Sequence, residues 1–431
     1  MDPILTQEHA PSYYAASANA APHRPALEGD VQADVCVIGG GFSGLSAALH
    51  CLQQGRSVLL LEGAQIGWGA SGRNGGQIVN GLNASLERIE AKFNKDTANF
   101  VGSLVQEGAS IIRGFVETHN IQCDLKQKNV YVGFNKKHMQ ELENKQALWR
   151  THGMDDHELL DRDALQAYVK SDLYYGGMVD HSGGHLHPLN LALGEAAAIE
   201  SLGGVIHEHT HVRSVDTDAA QPTVTTAQGR VTCNTLVICG NAYLGQSVPA
   251  LAPRVMPVST QVMATEPLGD ELAHRLLPND ACIEDVRYIL DYYRLSADKR
   301  LLFGGGTVYG GKDPSSVEAK LRPNMEKVFP ELKDVKVEYA WSGNFALSYT
   351  RVPQLGSLGN NTFFAMGYSG HGVTGSHLFG RLLSEGIAGE GDRFERFAAL
   401  PWRGFPGGQR FGAAYSTAGS WWYGFRDAIG V

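Results

Sequence analysis

The 431-residue chain reads as an α/β protein. A doubly wound domain assembled from separated segments is joined to a second domain on a mixed, largely antiparallel sheet. Three observations predict this. A strand, glycine turn, helix and second strand follow one another from 33 to 62. A strand and helix, TFFAMGY and GVTGSHLFGRLLSEGIAG, return at 362–368 and 372–389. Between them, long strand-like stretches fill 254–310, including RVMPVSTQVMATEPL and YILDYYRLSADKRLLFGGG.

Residues 1–30, rich in Ala, Pro and His, read as an extended arm. Residues 82–119 and 136–152 read as helical, with the strand VYVGF between them. Pro188 opens a helix over 188–202, and Gly203-Gly204 ends it before the strand VIHEH. Short strands ending in TLVICG fill 205–240, and 313–331 is helical. The nucleotide-type domain is therefore expected from 31–90, 180–250 and 355–431. The second domain is expected from 91–179 and 251–354.

Composition excludes several classes. Hydrophobic content of 43% with 19% charged residues fits a globular chain with a sizeable core. A net charge of −9 without a basic cluster argues against nucleic acid or an anionic membrane as partner. Cys36, Cys51, Cys123, Cys233, Cys239 and Cys282 lack CxxC spacing, and several sit in apolar runs, so buried thiols are expected. MDPILTQEHAPSYY has neither a basic start nor an apolar core of a leader, and no apolar run nears about 18 residues. The expected location is the cytoplasm, with no integral membrane segment.

The first glycine cluster follows the strand Val35–Ile38. Gly39, Gly41 and Gly44 satisfy G-x-G-x-x-G: a sharp turn, a close approach to a pyrophosphate, and tight helix–strand packing. The helix that begins there offers N–H groups and a partial positive charge to that pyrophosphate. The next strand, SVLLLE, ends at Glu62, a carboxylate suited to both ribose hydroxyls of an adenosine. A second cluster, GWGASGRNGG, follows almost at once. Its small residues let the backbone pass close to a flat ring system, and Ser71, Arg73 and Asn74 offer polar contacts.

From this point the chain resembles the D-amino-acid oxidase/glycine oxidase superfamily of FAD-dependent enzymes. The stretches that carry the resemblance are SYYAASAN (12–19), GASGRNGGQ (69–77), DHSGGHLHPLNLA (180–192), GNAYLG (240–245), LDYYRL (290–295), GYSGHGVT (367–374) and FPGG (405–408), nearly the whole chain. The resemblance implies a Rossmann-like FAD-binding domain and a substrate domain. It extends the cofactor set to Phe42, Ser43, Gly75, Gly76, Gln77 and Val212. TLVICGNAYLG looks like a second FAD signature, with Gly240 and Ala242 allowing close approach. Gly370, Gly372, Val373 and Thr374 begin the last helix, whose N-terminus is expected at the electron-rich edge of the flavin, with His371 adding to it. Some relatives hold FAD through a cysteine or histidine. SGRNGG contains neither and the last third of the chain has no cysteine, so non-covalent FAD is expected.

The implied reaction is oxidation of an amine C–N bond to an imine, with electrons passing to O2 or another acceptor. The substrate is expected to be the terminal amine of γ-glutamylputrescine or a similar polyamine derivative. The alternatives are a cyclic secondary amino acid such as L-pipecolate or proline, or a non-catalytic flavoprotein subunit. DYYRLSADKRLLFGGG reads as a hairpin with Tyr292 and Arg294 on one face and Asp291 and Tyr293 on the other. Arg294, Tyr292 or Arg351 could anchor a substrate carboxylate, or Arg294 could pair internally with Asp291 or Glu284. Trp341, Phe345 and Tyr349 could wall the pocket. Asp180, His181, His185 and His187 raise the question of a metal, but their glycines suggest a loop near the cofactor and no metal is expected. The terminal cluster GSWWYGFRDAIGV is expected to pack on the body of the protein.

Overall fold

Strand Gly29–Ile38 organises the first sheet. It pairs in parallel with Val58–Leu61 on one side and Gly229–Ile238 on the other. In the computed structural model, which describes residues 8–359, 361–405, 414 and 417–418, the described residues form two sheets of eight and nine strands. The first sheet continues to Val205–His207 at one end, and to Thr362–Met366 and antiparallel Gln354–Leu358 at the other. All four residues of Val58–Leu61 are buried, as expected for a strand covered on both faces. Strand order reverses at Gly29–Ile38: Val58–Leu61 and Val205–His207 lie on one side, and Gly229–Ile238, Thr362–Met366 and Gln354–Leu358 on the other. Ile38, Leu61 and Ile238 stand in register, so the turns after them leave the same edge. That edge is a topological switch point, where α/β sheets bind ligands.

Helices Phe42–Gln53, Pro188–Ser201 and Gly372–Ala388 pack together on this sheet. The first and last approach so closely that a Cβ on Gly380 would lie 2.7 Å from the Ala47 nitrogen. Ser46 Oγ donates to the His377 carbonyl across the same contact at 2.9 Å.

The second sheet runs from Val337–Ser348 through Val255–Thr265, Leu301–Tyr309, Asp291–Leu295, Cys282–Asp285 and Lys126–Gly133 to Gly176–His185. Its pairs are antiparallel except Cys282–Asp285 against Lys126–Gly133. One register row links Tyr131, Glu284, Tyr292, Gly304, Val262 and Trp341. Residues paired across strands share a face, so these side chains stand in line.

The helical stretch over 82–119 is three helices, Leu86–Lys92, Lys95–Gly102 and Glu107–Thr118. Ser85 and Asn94 interrupt it as N-caps, accepting from the Arg88 and Thr97 N–H groups. The arm is less extended than expected: Tyr13–Ala16 is a helical turn capped by Ser12, and Tyr14 is completely buried. Residues 180–185 are not a loop but the end of strand Gly176–His185, and the boundary drawn at 180 falls inside it. The glycine signal there marks close strand pairing, since a Cβ on Gly184 would overlap the Lys126 carbonyl. The sequences GSWWYGFRDAIGV and most of FPGG lie outside the described residues.

Gly380→Ala should destabilise the protein by about 1–3 kcal/mol, because the added carbon would overlap Ser46 Oγ and Cβ and the Ala47 main chain, and neither that Cβ nor the main chain can swing aside. The midpoint of urea unfolding should fall; an unchanged midpoint would show that the helices can separate at no cost.

Candidate functional site

The site grows from the two glycine turns, which touch. Gly39 has φ +107°, and a Cβ on it would lie 2.8 Å from the Cys239 carbonyl. A Cβ on Gly44 would overlap the Gly39 carbonyl. Side chains at either position would push the turn away from the sheet edge. The Phe42 N–H donates to Ser71 Oγ at 3.0 Å, so the second turn caps the helix of the first. Asn74 shapes that second turn: its amide donates to the Ala70 and Ser71 carbonyls and accepts from the Gly76 N–H. Arg73 donates to the Trp68 carbonyl and stacks 4.5 Å from the Trp68 ring centre.

A cleft of about 180 Å³ follows the first turn. Gly39, Gly41, Phe42, Ser43, Glu62, Val212 and Gly240 line it, as do Ser71, Gly372 and Val373. Glu62 accepts from the Gly40 and Ala64 N–H groups at 2.7 and 2.8 Å. Burial pushes its carboxyl up, and those N–H groups oppose the shift. Gly44 and Ala242 are not on the cleft wall; Gly44 acts from behind by packing, and Ala242 packs among apolar neighbours of the first sheet. Sequence reading missed Thr210, Trp68, Tyr243 and Tyr368, which also line the cleft. Trp68, Tyr243 and Tyr368 lie inside the stretches GWGASGRNGG, GNAYLG and GYSGHGVT, whose glycines carried the signal while these side chains did not; Thr210 lies in no such stretch.

A second cavity of about 420 Å³ lies beyond. The two share Ala70, Asn74, Phe345, Gly370 and Val373 as a common wall. Arg73, Gly75, Gln77, Tyr292, Arg351, His371 and Thr374 line the second. Gly76 lines neither; it packs against the Leu186 carbonyl and Arg294. The N-terminus of helix Gly372–Ala388 reaches the shared wall through Gly370 and Val373. Its first N–H groups have no partner within the helix.

Three sequence expectations change here. Arg294 does not reach the second cavity. Its guanidinium donates to the carbonyls of Gly75, Leu186 and Leu295 and to the Tyr14 hydroxyl, at 2.6–3.0 Å. It is 4% exposed and makes neither the Asp291 nor the Glu284 ion pair, so it holds the second turn in place rather than a substrate carboxylate. Burial, with Lys145 nearby, pushes His371 down to about 4, so the imidazole is neutral near pH 7 and adds no positive charge to the helix end. Trp341 is buried, with its Nε1–H on the Arg73 carbonyl, and Tyr349 is 42% exposed; of the three wall candidates only Phe345 lines the cavities.

Arg351, at φ +67°, donates to the Tyr288 hydroxyl at 3.0 Å. Tyr288 is 41% exposed, which puts this pair at the mouth. Glu284, 8% exposed, lines the interior. Sequence alone offers it only as a partner for Arg294. Its signal, an acid in the short buried strand Cys282–Asp285, is visible only once the strand is placed. The histidines are partnered separately. His185 Nε2 meets the Asp280 carbonyl at 2.7 Å, and His187 meets Ser17 Oγ and the Asn190 N–H. Among the described residues no three His, Cys, Asp or Glu side chains converge as metal ligands, and no helix is long and apolar enough to cross a membrane.

Comparison with known proteins agrees with this geometry. The model of the DAO family, described as FAD dependent oxidoreductase, matches residues 34–386. The chain is 47% identical to gamma-glutamylputrescine oxidoreductase of Escherichia coli, covering 98% of this chain and 100% of that protein. It is 36% identical to a probable oxidoreductase, OrdL, of Haemophilus influenzae, over 98% of both chains. Glycine oxidase from Bacillus cereus superposes with a TM-score of 0.71 at 20% identity, covering 86% of this chain and 99% of that one.

Arg294→Met should leave buried acceptors unpaired and destabilise by about 1–3 kcal/mol for each bond not replaced. The expected result is a lower thermal midpoint and lost flavin, with KM unchanged in the fraction that stays folded. A raised KM at unchanged stability would return Arg294 to the substrate site.

Proposed function

The chain belongs to the DAO family of FAD-dependent oxidoreductases, and on that premise we propose that it oxidises the terminal amine of γ-glutamylputrescine or a similar carboxylate-bearing polyamine derivative. The observation that carries this reading is the shape and charge of the second cavity. Arg73, Arg88, Arg287 and Arg351 line it, Arg351 at its mouth beside Tyr288, and it has space beyond what a small amino acid needs.

The residues present fit FAD. The turn at Gly39–Gly44 is a cradle that side chains would fill, and the helix N-terminus behind it suits a pyrophosphate. Glu62 stands at the cleft end where an adenosine ribose would be held. The shared wall, with Gly370, Gly372 and Val373 at a second helix N-terminus, would face the ring. FAD, when bound, would supply the acceptor for the hydride, and with it the two electrons, that leaves the carbon bearing the nitrogen.

The chain's own residues then bind, orient and exclude water. Arg351 and Tyr288 would take the remote carboxylate. Tyr292, its ring against Gly75 and Gly304, would form the floor beside the second turn. The imine product hydrolyses to an aldehyde and ammonia, and electrons pass on to O2 or another acceptor. We read the cofactor as non-covalent. Cys239 lines the cleft, but burial pushes its thiol up to about 12, leaving it protonated and a poor nucleophile. A cytoplasmic location fits the free, buried state of all six cysteines.

Anaerobic mixing with γ-glutamylputrescine, putrescine, L-pipecolate, L-proline, D-alanine and sarcosine should bleach the flavin fastest with the first. Faster bleaching by L-pipecolate or L-proline would overturn the substrate assignment. Arg351→Ala should raise KM for γ-glutamylputrescine roughly 10–100-fold, the worth of a charge-assisted hydrogen bond. It should change putrescine, which has no carboxylate, far less.

Glu62→Ala should lower the FAD that survives gel filtration, measured as flavin released by acid. Full retention would remove the ribose contact, and flavin that stays with the acid-precipitated protein would show a covalent link.

A further inference from the structure

The second cavity is lined by four arginines, Arg73, Arg88, Arg287 and Arg351, and by one carboxylate, Glu284. The arginines suit a substrate carboxylate; the acid does not. Its side chain is more than nine-tenths buried, and its only hydrogen bond among the described residues is a long one, 3.5 Å from Asn129 Nδ2. No cation lies within ion-pair distance of it among those residues. The nearest candidate, Lys145, has its ammonium over the Tyr131 ring, 3.6 Å from the centre. A buried, barely satisfied carboxylate costs stability. Glu284 is paired in register with Tyr292, so the two side chains share a face, and Tyr292 lies against the second glycine turn.

We infer that Glu284 receives the reacting ammonium of the substrate and takes a proton from it. One N–H bond of R–NH3+ breaks, one O–H bond forms on the carboxylate, no electrons move, and the amine keeps a lone pair. This step rests on the amine-oxidation reading above, since only a neutral amine can form the imine as its C–H bond is oxidised. Arg351 at the mouth and Glu284 inside would then select a molecule with a carboxylate at one end and an amine at the other.

The surroundings suit a base working near neutral pH. Burial pushes Glu284 up to about 7; the Lys145 ammonium and the Asn129 amide oppose the shift, and Asp285 and Asp180 reinforce it. Lys145, on helix Lys136–Arg150, is pushed down by burial to about 8. Tyr131 and Cys282, the other titratable neighbours, are both raised and stay protonated, and His371 stays neutral. Glu284 accepts a proton only when ionised, so the bleaching rate should rise with pH through about 7.

The test uses the FAD-loaded protein, mixed anaerobically with γ-glutamylputrescine from pH 6 to 10. Glu284→Gln should retain FAD, bleach roughly 100-fold more slowly at neutral pH, and recover only as pH nears that of a free alkyl ammonium, about 10. Glu284→Asp should keep the neutral limb. Lys145→Met, which removes the opposing cation, should move that limb to higher pH. The trimethylammonium analogue, which can neither lose a proton nor form an imine, should bind Glu284→Gln roughly tenfold more weakly, read from the shift in the flavin spectrum. If the wild type bleaches and Glu284→Gln keeps its pH profile, or Lys145→Met leaves the limb in place, the inference about Glu284 falls and the amine reading stands. If no amine bleaches the wild type, both fall.

Discussion

Main chain must meet main chain at the carboxyl edge of the first sheet, and the rest of the site follows from that contact. Gly39 lies against Cys239, Gly44 against Gly39, and Ser71 caps the helix that the first turn opens. Any Cβ at these points would push the turns apart. The second turn is fixed independently. Arg294, reaching from the other sheet, grips the Gly75 and Leu186 carbonyls. The two sheets are thus joined through a loop held by both, and the cleft and cavity share that loop as a wall.

The cofactor side of this arrangement was legible because its signals are local. A turn that needs positive φ demands glycine, and a helix N-terminus follows within a few residues, so Gly39, Gly41 and Glu62 announced themselves. The fold class was legible for the same reason: apolar strands, helices and hairpins carry their own periods. The other cavity was less so. Arg351 stood out in the sequence as one candidate among several, but Glu284 comes from a sheet whose strand order departs from chain order, and the face of a short buried strand is set by its neighbours. Arg294 shows the limit most clearly. Alternation placed it correctly beside Tyr292, yet the alternation could not show that four buried acceptors already occupied its donors. The glycines at 183 and 184 misled in the opposite sense, because close strand pairing and turns ask for the same residue.

Electrostatics divides the two cavities by task. The cleft beside the first turn offers oriented N–H groups and one carboxylate at its far end. The cavity beyond it is cationic at the rim, neutral around His371 and acidic at one interior point. Such a gradient orients a dipolar ligand before any bond changes, and orientation is most of what a protein adds to a reaction whose electronics belong to the cofactor.

The neighbours of strand Gly29–Ile38 in its sheet come from opposite parts of the gene. Val58–Leu61 follows at once, but Gly229–Ile238 is encoded some 200 codons later, and Thr362–Met366, which pairs with Gly229–Ile238 in turn, later still. At translation rates of roughly 5–20 residues per second, a nascent chain carries one unpaired edge of its central strand for about 10–40 seconds. Exposed edges template pairing with other chains, so this interval is when the polypeptide is most open to aggregation and most dependent on chaperones. Truncation before residue 238 would make that transient hazard permanent.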